Sequence, residues 1–443
     1  MSNPEMTAAA PGQSTTESSL PQTRPLGIVT ALFFMWGLLT SLNDILVPQL
    51  KSIFDLSYAR AMLVQFAFFS AYFLFSIPWS KVVAAIGYQK TMVSGLLSMA
   101  CGAFLFVPAA SAASYPLFLT ALILLAAGIT GLQVSANPYV VALGKPETAS
   151  SRLNLTQAFN ALGTTLAPLL GGLLILSAAP LAASELRELS PQALHLYRVQ
   201  EAASVKPPYV VIGLALVLLA GLIATAKLPK LATTVSGAAE GAGDSIWKHP
   251  NTTLGALAIF AYVGAEVSIG SFLVNYFGQA DIAGLSPRAA AGYVSFYWGG
   301  AMVGRFLGAA LLRRISAGHL LAVCASCTAV LVSTSMLTSG QAAMWSIIAV
   351  GLFNSIMFPS IFSLGVAELG PLTGSGSGLL SMAIVGGAIL PPIQGAIADR
   401  VGIQHAFFIP VLCYLYILFY ALKGALPNSA RHVGAEHEGA PSC

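Results

Sequence analysis

Between residues 26 and 426 long apolar runs alternate with short polar breaks, and the runs are of nearly one size. Twelve windows stand out. Six are Leu26 to Leu50, Ala61 to Ile86, Thr91 to Val107, Pro116 to Leu143, Leu153 to Leu176 and Tyr209 to Ala226. Six more are Thr253 to Phe277, Ala289 to Leu312, His319 to Leu337, Ala343 to Leu364, Ser377 to Ala398 and His405 to Leu426. Roughly 20 mainly apolar residues in a helix cross the hydrocarbon core of a bilayer. The pattern therefore predicts an all-α membrane protein of twelve transmembrane helices. Residues 1–24 are polar and rich in Ser, Thr and Pro, without the basic start and short apolar core of a signal peptide, so they are expected to be a disordered tail. Residues 229–249 read as a solvated linker between a six-helix half at 25–228 and a second at 250–426, and 427–443 as another tail. Ala178 to Pro208 is a longer polar break, expected to hold a short surface helix near Glu185 to Glu201.

The two halves repeat at a nearly constant shift. Asp44 maps onto Glu266 at 222 residues, Ser70 and Tyr72 onto Ser295 and Tyr297 at 225, and Gln133 and Pro138 onto Asn354 and Pro359 at 221. Gly163, Pro168 and Gly171 map onto Gly387, Pro392 and Gly395 at 224. Shifts confined to four residues across four helix pairs are the mark of two pseudo-symmetric halves about a central cavity, a build common among transporters.

Composition sharpens this picture. The 443 residues are 56% hydrophobic and only 8% charged, against the ~25% charged of a soluble domain. Little chain is left for a soluble catalytic domain. The net charge of +4 does not mark a nucleic-acid site, because the basic residues fall at helix ends rather than in a patch. With the N terminus inside, fourteen of the 20 Lys and Arg lie on the inner side, Arg305 among them, which places both termini in the cytoplasm. Cys324 and Cys327 form a lone CxxC in an apolar helix with no second pair to complete a metal site, so they read as packing residues and no metal is expected.

Candidate chemistry then comes from polar groups inside the apolar windows. A charge at the bilayer centre costs at least ~2.5 to 3.5 kcal/mol, so Asp44 and Glu266 need a function or a partner. Neither has a buried Lys or Arg close by in sequence, which points to a proton or other cation as the neutralising species. Thr40 and Asn43 share the Asp44 face, Tyr262 stands one turn before Glu266, and Gln133 and Asn137 are four apart. Asn154, Gln157 and Asn160 step by three along the fifth helix, and Asn354 supplies an amide in the tenth. Amides, carboxylates and aromatic faces match the hydroxyls and apolar ring faces of a sugar. Any single amide is as readily a helix-to-helix bridge. Tyr293, Tyr297 and Trp298 are candidates for stacking on sugar and equally for interfacial anchoring or packing.

Three runs, Asn43-Asp44-Ile45-Leu46-Val47-Pro48-Gln49, Leu132 to Tyr139 and Arg152 to Asn160, resemble the fucose:proton symporter family of the major facilitator superfamily over nearly the whole chain. Tyr262 to Ser271 is similar to its glucose/galactose branch. The resemblance implies the major facilitator fold and sugar uptake driven by a proton, or by sodium in some members. It also implies that Asp44 is the family's first-helix acid and that Gln157 and Asn160 are its fifth-helix amides. This chain has Gln133 where fucose permeases carry Glu, and Glu266 where they carry Gln, so the second acid has changed halves. Gly304, Arg305, Arg313 and Arg314 resemble the superfamily's basic loop in the second half.

The expectation is a cation-coupled symporter, driven by a proton, that imports a hexose such as glucose or galactose across the cytoplasmic (inner) membrane by alternating access. Asp44 and Glu266 are the expected coupling residues. Asn43, Gln133, Asn137, Gln157, Asn160, Tyr262 and Asn354 are the expected sugar ligands. Partners are a sugar, the lipid bilayer and no nucleic acid, with a monomer as the unit; no cofactor is expected beyond the co-transported ion. Alternatives are L-fucose or N-acetylglucosamine as cargo, sodium as the ion, a drug exporter or a non-transporting sensor. A membrane enzyme is disfavoured because the six histidines lie in loops, tails or helix ends.

Overall fold

In hydrocarbon the backbone N–H and C=O groups must find partners within their own segment, so apolar runs of this length fold as helices. The computed structural model describes residues 23–54, 58–112, 114–174, 189–229 and 245–425, by backbone alone at 23, 42–54, 58–65, 168–174, 287 and parts of 191–205. Among the described residues it is all-helical.

The first half comprises α1 (Thr23–Phe54), α2 (Tyr58–Ile86), α3 (Tyr88–Ser111), α4 (Tyr115–Ala142), α5 (Ala149–Leu174) and α6 (Pro191–Thr225). The second begins with α7 (Pro250–Phe277), α8 (Pro287–Leu311) and α9 (Ala317–Leu337). Its last three spans are broken. The tenth is α10 (Gly340–Asn354) followed by α11 (Met357–Gly365). The eleventh is α12 (Thr373–Met382), a 3-10 turn at Ala383–Val385 and α13 (Gly386–Val401). The twelfth is α14 (Ile403–Ala406), α15 (Phe408–Phe419) and a π turn at Tyr420–Gly424. The twelve expected spans are all present.

The polar break after α5 folds differently from expectation. Rather than a separate surface helix near Glu185 to Glu201, a single helix starts at Pro191, with Ser190 Oγ accepting from Ala193 N–H at 3.2 Å, and runs on through Pro207 and Pro208 into the sixth span. Proline at the first helical position needs no N–H there, which favours this start. Residues 185–188 lie outside the described residues.

Both halves use the same neighbour pattern. α1 packs on α5 as α7 packs on α13, α2 on α4 as α8 on α10, and α3 on α4 and α6 as α9 on α10 and α15. Ten helices among the described residues are apolar enough to cross a membrane unaided. The two left out are α5 and α8, which carry Arg152, Asn154, Gln157 and Asn160 and Arg288 and Arg305. They pack against each other across the two halves, with Phe159 and Phe306 edge to face at 5.6 Å. The least lipid-compatible helices thus line the interface where polar groups avoid lipid.

Among the described residues the halves meet closely at the terminal face, where α1 and α5 begin and α2, α8 and α11 end. There Ser151 Oγ donates to Ala309 O at 2.6 Å, and Ser150 and Ser363 share a hydrogen bond at 2.6 Å. A Cβ on Gly378 of α12 would lie 2.9 Å from the Ser80 side chain of α2, so the chains are in close contact.

Candidate functional site

A cavity of about 140 Å³ lies between the halves, lined by Gln133, Gln157, Tyr262, Val263, Glu266, Arg305, Phe358, Pro359 and Ile384. Drug-sized pockets run to ~300 to 1,000 Å³, so this one suits a small polar solute.

The first half contributes an amide ladder. Asn137, one turn beyond Gln133 on α4, donates from Nδ2 to Gln133 Oε1, and Gln157 Nε2 of α5 donates to Asn137 Oδ1 at 3.2 Å. Asn137 is fully buried, and both ends of its amide are bonded within the ladder. The ladder leaves the Gln133 NH₂ as a donor and the Gln157 side-chain oxygen as an acceptor, and both residues line the cavity. Asn137 holds the two in place without lining the cavity.

The second half contributes the charges. Tyr262 donates to Glu266 Oε1 at 2.7 Å, a contact between neighbouring turns of α7. Arg305 of α8 lies on the same cavity and acts electrostatically on both Glu266 and Tyr262. Its own position follows from a proline. Pro359 has no N–H and cannot bond the carbonyl of Ser355 four residues earlier, so the tenth span breaks at that point. Arg305 Nε donates to the freed Ser355 O at 3.3 Å, while Nη1 reaches Gln157 O on the other half at 3.5 Å.

Arg305 is the residue sequence reasoning misses. The resemblance puts it in a basic loop at the end of α8; it lies inside the helix, which runs on to Leu311, and supplies the cationic neighbour that Glu266 lacks in sequence. The available signal is spacing, since Arg313 and Arg314 lie beyond the helix end while Arg305 is almost two turns inside it.

The structure separates the remaining candidates. Gln133, Gln157, Tyr262 and Glu266 come together in the cavity. Asn160 turns to α1, donating from Nδ2 to Phe33 O at 2.9 Å, and does not line the cavity. Asn354 is fully buried behind it, donating from Nδ2 to Tyr297 OH at 3.0 Å. Tyr297 is packed inside rather than presented to a ligand, and Tyr293 forms a cluster with Phe296 and Trp345 away from the cavity. The side chains of Asn43 and Asp44 lie outside the described residues; their backbone belongs to α1.

The profile of the Major Facilitator Superfamily matches residues 28–390. The chain is 51% identical over 397 residues to a glucose/galactose transporter of Brucella abortus, covering 90% of this chain and 93% of that one. It is 35% identical over 404 residues to the L-fucose-proton symporter of Escherichia coli, covering 90% and 92%. Among solved structures it matches a major facilitator transporter, FucP, in the outward conformation, with a TM-score of 0.83 at 34% identity, over 90% of this chain and 98% of that chain. Family profile, relatives and fold agree with the two six-helix halves and their central cavity: the chain belongs to the major facilitator superfamily.

Proposed function

We propose that the protein is a transporter, not an enzyme, and that it imports a hexose such as glucose or galactose together with a proton by alternating access. The observation that carries this reading is the two-sided cavity, with a neutral donor and acceptor from one half and a carboxylate and guanidinium from the other. A sugar hydroxyl both donates and accepts, so adjacent hydroxyls can bond groups of both kinds at once. A site shared by both halves also stays in place while the halves rock about it, as in alternating access. The 51% identity to a protein named a glucose/galactose transporter supports this cargo, and the fucose-proton symporter supports the proton.

In this reading the terminal face is cytoplasmic and closed, the membrane is the inner one, and the monomer is the working unit. Asp44 is the primary proton carrier, and Glu266 is a sugar ligand or a second carrier. An ionised acid within the span of a membrane helix is costly, so protonation of Asp44 accompanies sugar loading. One proton moving down ~150 mV supplies about 3.5 kcal/mol, enough for a few-hundredfold sugar gradient.

The test is uptake of labelled glucose, galactose, fructose, mannose, fucose and N-acetylglucosamine into proteoliposomes under imposed proton or sodium gradients. Glucose or galactose should accumulate with the proton gradient and not with sodium alone. Asp44→Asn should exchange sugar for sugar while losing accumulation. Accumulation that ignores pH and follows sodium would replace the ion; accumulation by Asp44→Asn at the wild-type level would remove Asp44 from coupling.

A further inference from the structure

Glu266 has a neutral partner on its own helix and a permanent cation across the cavity. Tyr262 donates to its carboxylate at 2.7 Å, and Arg305 on α8 lines the same cavity. Among the described residues the other titratable groups coupled to it are Tyr297 on α8 and Tyr414 on α15. The cavity lining from α4, α5, α11 and the turn at Ala383–Val385 is uncharged, and α13 meets α7 through Leu390 at Gly264. A guanidinium keeps its proton in proteins. Arg305 is also anchored, by the carbonyls of Ser355 and Gln157.

We propose that Glu266 is a fixed anion and not a proton carrier: Arg305 supplies its counter-charge, so the carboxylate stays ionised through the cycle as a sugar-hydroxyl acceptor. The proposal rests on the reading of this cavity as a sugar site and deepens it, because it removes one of the two candidate carriers. Its physical basis is the local charge balance. Among the described residues the charges on the cavity are Arg305 at +1 and Glu266 at −1, which balance, and a proton added to Glu266 would leave Arg305 as a cation without its local counter-charge in a low-dielectric enclosure. A carboxylate also accepts a sugar hydroxyl through a charge-assisted bond, which a protonated acid does not offer. Asp44, on the other half, is left as the group whose charge is cancelled by the driving proton.

The experiment is calorimetric titration of glucose and galactose into detergent-solubilised wild type, Glu266→Gln, Arg305→Lys, Arg305→Gln and the Arg305→Gln/Glu266→Gln double variant, from pH 6 to pH 8. Buffers of different ionisation enthalpy count the protons taken up per sugar bound. Glu266→Gln should weaken binding and leave the proton count at the wild-type value. Arg305→Lys should keep the wild-type pH profile, and Arg305→Gln should lose a further ~10-fold in affinity towards pH 6, the size of one charge-assisted bond forfeited when Glu266 protonates. The double variant should lose that extra step. A changed proton count in Glu266→Gln, or a wild-type pH profile in Arg305→Gln, overturns the proposal. Glu266→Gln is nearly isosteric, so its count stands even if the arginine variants fail to fold. Absence of hexose binding by the wild type would instead overturn the sugar reading itself, and the proposal with it.

Discussion

Asn137 has both ends of its amide engaged, one towards Gln133 and the other towards Gln157. Groups joined in this way act as a unit. Gln133→Ala and Asn137→Ala should each weaken sugar binding roughly 5-fold to 150-fold, since a lost partner beside a buried polar mate costs ~1 to 3 kcal/mol. The double variant should lose less than the sum, because the first substitution already frees the ladder. Additive losses in a calorimetric double-mutant cycle would mean the two residues act independently. At this scale the sequence is legible for types and depths: Gln133, Gln157, Tyr262 and Glu266 are expected in the cavity and are found there. It is not legible for direction. Gln157 joins the ladder, whereas Asn160, three residues further along α5, points about 60° away from it and bonds α1 instead.

At the scale of elements, α1 and α5 approach so closely that a Cβ on Gly37 would fall 2.1 Å from the Asn160 carbonyl oxygen. Asn160 Nδ2 on Phe33 O and Ser41 Oγ on Thr164 O, at 2.9 and 3.3 Å, fasten the same seam. Gly37→Leu should push the helices apart at a cost of about 1 to 3 kcal/mol or more, lowering the thermal unfolding midpoint and displacing Gln157. A thermal shift assay in detergent checks this; an unchanged midpoint would mean the seam is not tightly packed. The helices themselves are readable, because a bilayer fixes their length and composition. The breaks in the last three spans are less so. Pro359 announces a break near Ser355, but only the tertiary fold shows Arg305 occupying the carbonyl that the proline frees.

On the scale of the whole molecule, hydrogen bonds join the halves at the terminal face, at Ser150 with Ser363 and Ser151 with Ala309, and at the cavity, from Arg305 to Gln157 O. A cysteine pair at 150 and 363 should therefore form a disulfide under oxidant, since the two native side-chain oxygens lie 2.6 Å apart. Locked in this way, the protein should still bind sugar from the opposite face but should stop transporting it, and reductant should restore transport. Full transport by the oxidised pair would show that this face does not need to open. The two-half architecture is legible from the repeat of Asp44 with Glu266 and of Gln133 with Asn354. The repeat does not extend to placement: Gln133 lines the cavity, whereas Asn354 is buried against Tyr297. Whether sugar binds in this cavity is measured most directly by calorimetric titration of glucose and galactose into wild type and Gln157→Ala. Wild type should bind, and removing the Gln157 amide should lose roughly 5-fold to 150-fold in affinity; unchanged affinity in the variant would mean that sugar binds elsewhere.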